Sequence, residues 1–121
     1  MAIALAGSAL IVLPGCIVAA AGAGAGAVAY VRGDLGADLT TDYSRVVDST
    51  RRSIKELEFA PVSENKDALK AVFVARTAQD KKVEITVSNT GKRLTNIRIR
   101  VGLFGDESLS LAILDKIKSG L

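Results

Sequence analysis

The chain has no histidine, no tryptophan, one cysteine, one methionine, two prolines, two tyrosines and three phenylalanines among 121 residues. Without histidine there is no imidazole base, no imidazole metal ligand and no Ser–His or Cys–His dyad. The hydroxyls of Ser44 and Ser53 lack their usual activating partner, and no motif marks a Ser–Lys pair. A non-enzyme without cofactor or metal is therefore expected. One cysteine cannot close an intrachain disulfide. In an exported protein the thiol then needs another use, and attachment to lipid supplies one. The net charge of +3 and pI near 9.2 suit contact with anionic lipid or polymer, and are too weak to imply nucleic acid.

Charge is also missing locally. Residues 1–31 carry no charged side chain, so every Lys, Arg, Asp and Glu falls from Arg32 onward. The mean hydropathy of +0.30 thus averages an apolar leader and an ordinary charged domain. A domain of that size buries a core but is only modestly stable. The expected division is a leader over 1–15, an Ala/Gly-rich membrane-proximal tether over 16–33, and one globular domain over 34–121.

The leader has an apolar stretch from Ile3 to Leu13, then Pro14, Gly15 and Cys16. Pro14 breaks a helix and leaves extended chain for a peptidase, and Gly15 is the small residue before the cut. Leu13-Pro14-Gly15-Cys16 resembles the lipobox of bacterial lipoproteins, in which the cysteine is acylated and becomes N-terminal. Met1-Ala2-Ile3 offers only the terminal amine as a positive n-region, which points to a start further upstream. The lipobox resemblance implies a cell-envelope address with membrane lipid as the partner of Cys16. Ile17 stands where an Asp resembles an inner-membrane retention signal, so a Gram-negative source would place the domain on the outer membrane facing the periplasm. The competing reading is an uncleaved transmembrane anchor from about Leu10 to Val31, interrupted by Pro14-Gly15. Between Ile17 and Val31 the Ala-Gly alternation reads as a flexible tether. Gly22 and Gly26, four apart, offer instead a close helix–helix contact.

Beyond the leader the hydrophobic period switches. Leu35, Ala37 and Leu39 alternate with Asp34, Asp38 and Thr40, predicting a strand. Thr41 or Asp42 then caps a helix from Tyr43 to about Leu57, with Tyr43, Val46, Val47, Thr50, Ile54 and Leu57 on one face. Pro61 ends it and leaves 59–63 as an edge strand. Runs over 69–76, 82–88 and 95–101 alternate as strands. The last two face their apolar sides together, which requires an odd-numbered loop, placed at Asn89-Thr90-Gly91 with Gly91 left-handed. Gly105 permits a turn and Asp106 caps a last helix with Leu111, Leu114, Ile117 and Leu121 buried. The expected fold is α+β, β-α-β-β-β-β-α, an antiparallel sheet with two helices on one face.

The chain resembles short bacterial lipoproteins grouped as a domain of unknown function. The resemblance rests on Gly15-Cys16, on the Ala/Gly-rich stretch, on Tyr30-Val31-Arg32-Gly33-Asp34-Leu35 and on Gly102-Leu103-Phe104-Gly105-Asp106 before a closing helix. It implies an envelope location and no known activity.

Few residues suggest a site. Asp34, Asp38 and Asp42 are four apart, but a strand separates them as solvated residues and a helix cap. Asp106-Glu107 fits a capped helix start better than an acid pair. The open sheet face is the candidate binding surface: Lys70, Arg76, Lys82, Arg98 and Arg100 share it with Val72, Val74 and Glu84. Such a face suits an envelope protein or an anionic polymer. The rival reading is a carrier of a small hydrophobic ligand in a cavity lined by Phe73, Ile85, Ile97 and Leu114.

Overall fold

The computed structural model describes residues 25–121. Its elements are β1 (Ala25–Val31), β2 (Asp34–Leu39), α1 (Tyr43–Glu56), β3 (Ala60–Lys66), β4 (Lys70–Arg76), β5 (Lys82–Gly91), β6 (Leu94–Val101) and α2 (Glu107–Ser119). All six strands form one antiparallel sheet in the order β1-β2-β6-β5-β4-β3. From Asp34 onward the order is β-α-β-β-β-β-α, as the alternation predicts. Both helices pack on the same face.

One strand precedes that series. Ala25–Val31, read from sequence as part of a tether over 16–33, is the edge strand of the sheet, with Val28 opposite Ala37 and Tyr30 opposite Leu35. Gly26 consequently lies in a strand and not in an associating helix, and the span from Leu10 to Val31 cannot be one continuous helix. Val28 and Tyr30 pack against the core, which is what draws this Ala/Gly-rich segment into the sheet. No helix among the described residues is long and apolar enough to cross a membrane.

The period-two pattern sorts the faces. Leu35, Ala37 and Leu39, Ala71, Phe73 and Ala75, Val83, Ile85 and Val87, and Ile97, Ile99 and Val101 all point under the helices and are buried. Burying one such Ile or Leu stabilises the fold by about 1.5–3 kcal/mol. Helix α1 contributes Val46, Val47 and Ile54, and α2 contributes Ile113, Leu114 and Ile117. The α2 stripe differs from the expected one by a step around the helix. Ile113 is buried, Leu111 is 40% exposed, and Leu121 is only partly buried against the core.

The two helices run antiparallel and meet through small residues. Ser49 and Ser53 of α1 are buried, and Ser49 Oγ donates to Ile117 O at 2.6 Å. A Cβ at Gly120 would lie 2.7 Å from Ser49 Oγ, so a larger residue there would displace the Ser49 hydroxyl. Arg52 donates to Gly120 O at 2.7 Å, and Lys116 pairs with Glu56 at 3.2 Å.

The turns refine the sequence reading. The β5–β6 loop is not the expected odd-numbered one: it is the two residues Lys92-Arg93, and the irregularity between Asn89 and Gly91 supplies the extra residue that matches Val87 with Ile97. Strand β5 runs on to Gly91 with an irregularity after Asn89. The left-handed residue is Arg93, at φ 54°. At the start of α2, Asp106 Oδ1 accepts the Leu109 amide at 3.0 Å, the expected cap. Asp42 occupies the cap position of α1 without a side-chain cap bond.

Two predictions follow from the interior and the caps. Ser110 is fully buried, and its Oγ finds no hydrogen-bond partner among the described residues. Ser110→Ala removes a desolvated hydroxyl at almost constant volume, and should stabilise the fold by about 1 kcal/mol, read as a higher denaturant midpoint at unchanged slope.

Three carboxyls are held below the usual carboxylate range in the folded protein. For Glu64 the main cause is the hydrogen bond from Arg51. For Asp67 it is the amides of Leu69 and Lys70, and for Asp106 the amide of Leu109. A depressed folded value means the unfolded chain binds protons more readily. The stabilisation is therefore complete above the unfolded carboxylate range, about pH 4–4.5, and is lost as pH falls through the lower folded values. Thermal midpoints measured across that acid range should fall for the wild type and fall less steeply for Glu64→Gln with Asp106→Asn.

Candidate functional site

The open face of the sheet collects the five cations expected on it. Lys70 and Arg76 leave β4, Lys82 leaves β5, and Arg98 and Arg100 leave β6, all on the side away from the helices. Register orders them in rows. Asp34, Arg100, Glu84 and Val74 stand side by side across β2, β6, β5 and β4. The next row holds Gly36, Arg98, Thr86 and Val72, and the one beyond it Asp38, Asn96, Ser88 and Lys70. Arg76 lies opposite Lys82.

This arrangement changes the character of the face. The half-buried valines lie to one side, on β4, and carboxylates interrupt the cations. Arg100 has Asp34 on one flank and Glu84 on the other. Asp38 accepts from Asn96 at 2.9 Å, and Arg76 donates to the Asp80 carbonyl at 3.0 Å. A depression of about 250 Å³ lies among Asp34, Glu84, Thr86, Arg98 and Arg100. The face is thus a mixed-charge surface, with Lys70, Lys82 and Arg98 its cations outside any ion pair among the described residues. Asp42, at the start of α1, is remote from Asp34 and Asp38 in role.

Arg100 is a structural clamp. Its Nη1 donates to Arg32 O at 2.9 Å and to Asp34 Oδ1 at 3.0 Å, while Nη2 donates to Leu103 O at 2.7 Å. One guanidinium thereby ties the β1–β2 turn to the β6–α2 turn, a use that suits its planar fork. Both turns are left-handed: Arg32 (φ 52°) and Gly33 (φ 89°) in the first, Gly102 (φ 72°) and Gly105 (φ 89°) in the second. Gly33 and Gly105 touch backbone to backbone. A Cβ on Gly105 would overlap the Gly33 Cα and lie 2.7 Å from Gly33 O and 2.5 Å from Tyr30 Oη. A Cβ on Gly33 would lie 2.9 Å from Phe104 O. The crossing displays Leu103 (77% exposed), Phe104 (86%) and Val31 (59%) at one end of the sheet. Sequence reasoning treated these two turns separately. The paired glycines and Arg100 were the signal that could have joined them.

The proposed carrier residues lie elsewhere. Phe73, Ile85, Ile97 and Leu114 are packed in the core at 2% exposure or less. An apolar cleft of about 350 Å³ does open between α1 and the β3 edge, lined by Ile54, Phe59, Pro61, Val62 and Phe73 and bordered by the Arg51–Glu64 ion pair. Of the four expected lining residues it includes Phe73. Cys16 and the cleavage residues Leu13, Pro14 and Gly15 lie outside the described residues.

With this geometry in place, comparison with known families becomes informative. The chain belongs to a family described as a protein of unknown function (DUF3568), whose model matches residues 1–120. No curated protein matches the chain. Tyr30 to Leu35 and Gly102 to Asp106, two of the four stretches on which the resemblance rests, are the two halves of the glycine crossing.

Substitution at the crossing should be costly. Gly105→Ala combines a left-handed φ with a backbone overlap, and should destabilise by at least about 2 kcal/mol. Arg100→Ala should cost about 1–2 kcal/mol, since its partners are partly solvated and screening reduces the loss. Arg98→Ala, on the same strand and face, should leave the denaturant midpoint almost unchanged. Equal midpoints for Arg100→Ala and Arg98→Ala would refute the clamp.

Proposed function

We propose that the chain is a cell-envelope lipoprotein held at a membrane through Cys16, and that its folded domain is a non-catalytic binding or scaffolding module. In a Gram-negative source it sits on the outer membrane facing the periplasm. The observation that carries this reading is the path of the chain. An uncharged apolar segment containing the single cysteine runs directly into β1, the edge of the sheet, leaving residues 17–24 between Cys16 and the folded domain. Acyl chains on Cys16 contribute about 0.8 kcal/mol per buried methylene, so more than one chain holds such a domain firmly. The mixed-charge open face is the surface offered to an envelope protein or anionic polymer, with Arg98 and Lys82 the cations best placed to engage it.

A second reading draws on the cleft between α1 and β3. Its apolar lining suits a small hydrophobic ligand, in the manner of a carrier, and Lys55 at its border stands outside the Arg51–Glu64 ion pair.

Metabolic labelling with radioactive palmitate tests the first reading. Wild-type chain should incorporate label and Cys16→Ala should not. Absence of label from both, with the chain still in membranes, would replace the lipid anchor by an uncleaved transmembrane segment.

A further inference from the structure

The direction of β1 orients the domain. Ala25, where the apolar segment enters, lies opposite Leu39 at one end of the sheet, and Val31 lies opposite Asp34 at the other. Following the antiparallel order, the Ala25 end also holds the start of α1, the β3–β4 turn and the β5–β6 turn. These parts are tied together. The Asn89 amide donates to Leu69 O at 2.8 Å, Asn89 Nδ2 donates to Ala68 O at 3.2 Å, and Tyr43 Oη donates to Asp67 O at 2.8 Å.

The two ends differ in charge. At the far end Arg100, Lys81 and Arg76 each pair with a carboxylate, Asp34, Asp106 and Asp80 respectively, and Arg32 and Lys82, also there, are outnumbered by Glu58, Glu84 and Glu107. At the Ala25 end Arg45, Lys66, Lys70, Lys92 and Arg93 are all exposed and make no ion pair among the described residues. Of the carboxylates there, Asp67 is turned onto the amides of Leu69 and Lys70 at 2.8 and 2.9 Å, and Asp42 lines a shallow depression with Lys92 and Arg93. Leu69, 71% exposed, projects from the same turn. Cations around an exposed leucine, at the end from which an uncharged apolar segment departs, match an anionic bilayer surface in charge and in position.

We infer that the Ala25 end docks on anionic lipid headgroups, through Lys66, Lys70, Lys92 and Arg93 with Leu69 inserted, so that the Leu103-Phe104 corner faces away from the membrane. This rests on the proposed membrane attachment and adds a second, electrostatic contact to it. Strand β2 alone, six residues long, sets the corner about 20 Å beyond the docking end.

The chain has no tryptophan, so a single introduced one is a clean reporter. Full-length chains carrying Leu69→Trp or Phe104→Trp are reconstituted into brominated-lipid vesicles of phosphatidylglycerol with phosphatidylcholine, and of phosphatidylcholine alone. Flotation of the vesicles reports attachment, and quenching reports docking. The expected result is flotation in every case, and loss of most Leu69→Trp emission in the anionic vesicles only. The Phe104→Trp emission should be unquenched in both. Adding Lys66→Glu, Lys70→Glu and Lys92→Glu should restore the Leu69→Trp emission to its value in phosphatidylcholine, with the folded circular dichroism spectrum retained. Flotation with equal quenching of the two reporters, or with quenching indifferent to lipid charge or to the three reversals, would overturn the docking and leave the attachment standing. Failure to float would overturn both.

Discussion

The contact between Gly33 and Gly105 fixes more of this molecule than any other. Two left-handed turns, one joining β1 to β2 and the other joining β6 to α2, cross with no side chain between them. A methyl group at either glycine has nowhere to go. The crossing sets where β1 lies against β2 and where α2 begins. Asp106, next to Gly105, can then cap α2 and also reach Lys81 on the neighbouring turn at 3.4 Å. Arg100 completes the corner by supplying donors to carbonyls that the left-handed turns leave without sheet partners, the accounting every buried or half-buried backbone group imposes. The stretches Tyr30 to Leu35 and Gly102 to Asp106 together specify this backbone crossing.

A similar economy governs the helices. Ser49, Ser53 and Gly120 are small enough to let α1 and α2 approach closely, and the Ser49 hydroxyl satisfies the Ile117 carbonyl inside that contact. With Phe73 the one aromatic among the buried residues, the core relies on Ile, Val and Leu. These suit a sheet covered on one side, where β-branched side chains pack densely from a pleated surface. The opposite side is left polar. Its charges alternate across β2, β6 and β5, so most of its electrostatic interaction is internal to the sheet.

How much of this was legible in the sequence depends on the length of each pattern. Strands β2, β5 and β6 repeat a clean alternation over six residues or more, and their buried faces follow from it, while the pairing of β2 with β6 does not. Parity requires one extra residue between β5 and β6. Asn89-Thr90-Gly91 looks like the turn that holds it, whereas an irregularity between Asn89 and Gly91 supplies it and the turn is Lys92-Arg93, with Arg93 left-handed. The stripe on α2 was read through Leu111, yet Ile113 is the buried residue. Leucine and isoleucine at 111, 113 and 114 leave two adjacent faces nearly equal in hydrophobicity, and only the packed partner decides between them. Strand β1 was hidden most completely. Alanine and glycine carry little strand preference, and only Val28 and Tyr30 mark its inner face. Its pairing is imposed by the Arg32-Gly33 reversal and the ready-made edge of β2, a tertiary effect that no local pattern records. At the candidate surface the sequence grouped the five cations correctly on one face. It could not show that Arg100 is spent on the corner, because one of the carbonyls it binds, that of Arg32, lies 68 residues away in sequence.

The discovery of β1 alters the mechanics of the proposed attachment. A flexible tether extending from Cys16 to Gly33 would allow the domain to wander as far as about 60 Å from the membrane. With Ala25 already hydrogen-bonded into the sheet, the connecting residues 17–24 reach at most about 30 Å. A domain so confined samples a thin layer next to the bilayer, where its local concentration at the headgroups is high even if each ionic contact is weak. Confinement also restricts orientation, because the chain enters at an edge strand whose direction is fixed by its pairing with β2 and by Val28 and Tyr30 packed against the core. Short reach and fixed entry then select which surfaces meet lipid and which remain available to a partner. In the proposed attachment the basic turns at the entry end would face the membrane, leaving the open sheet face and the exposed corner beyond it to a partner.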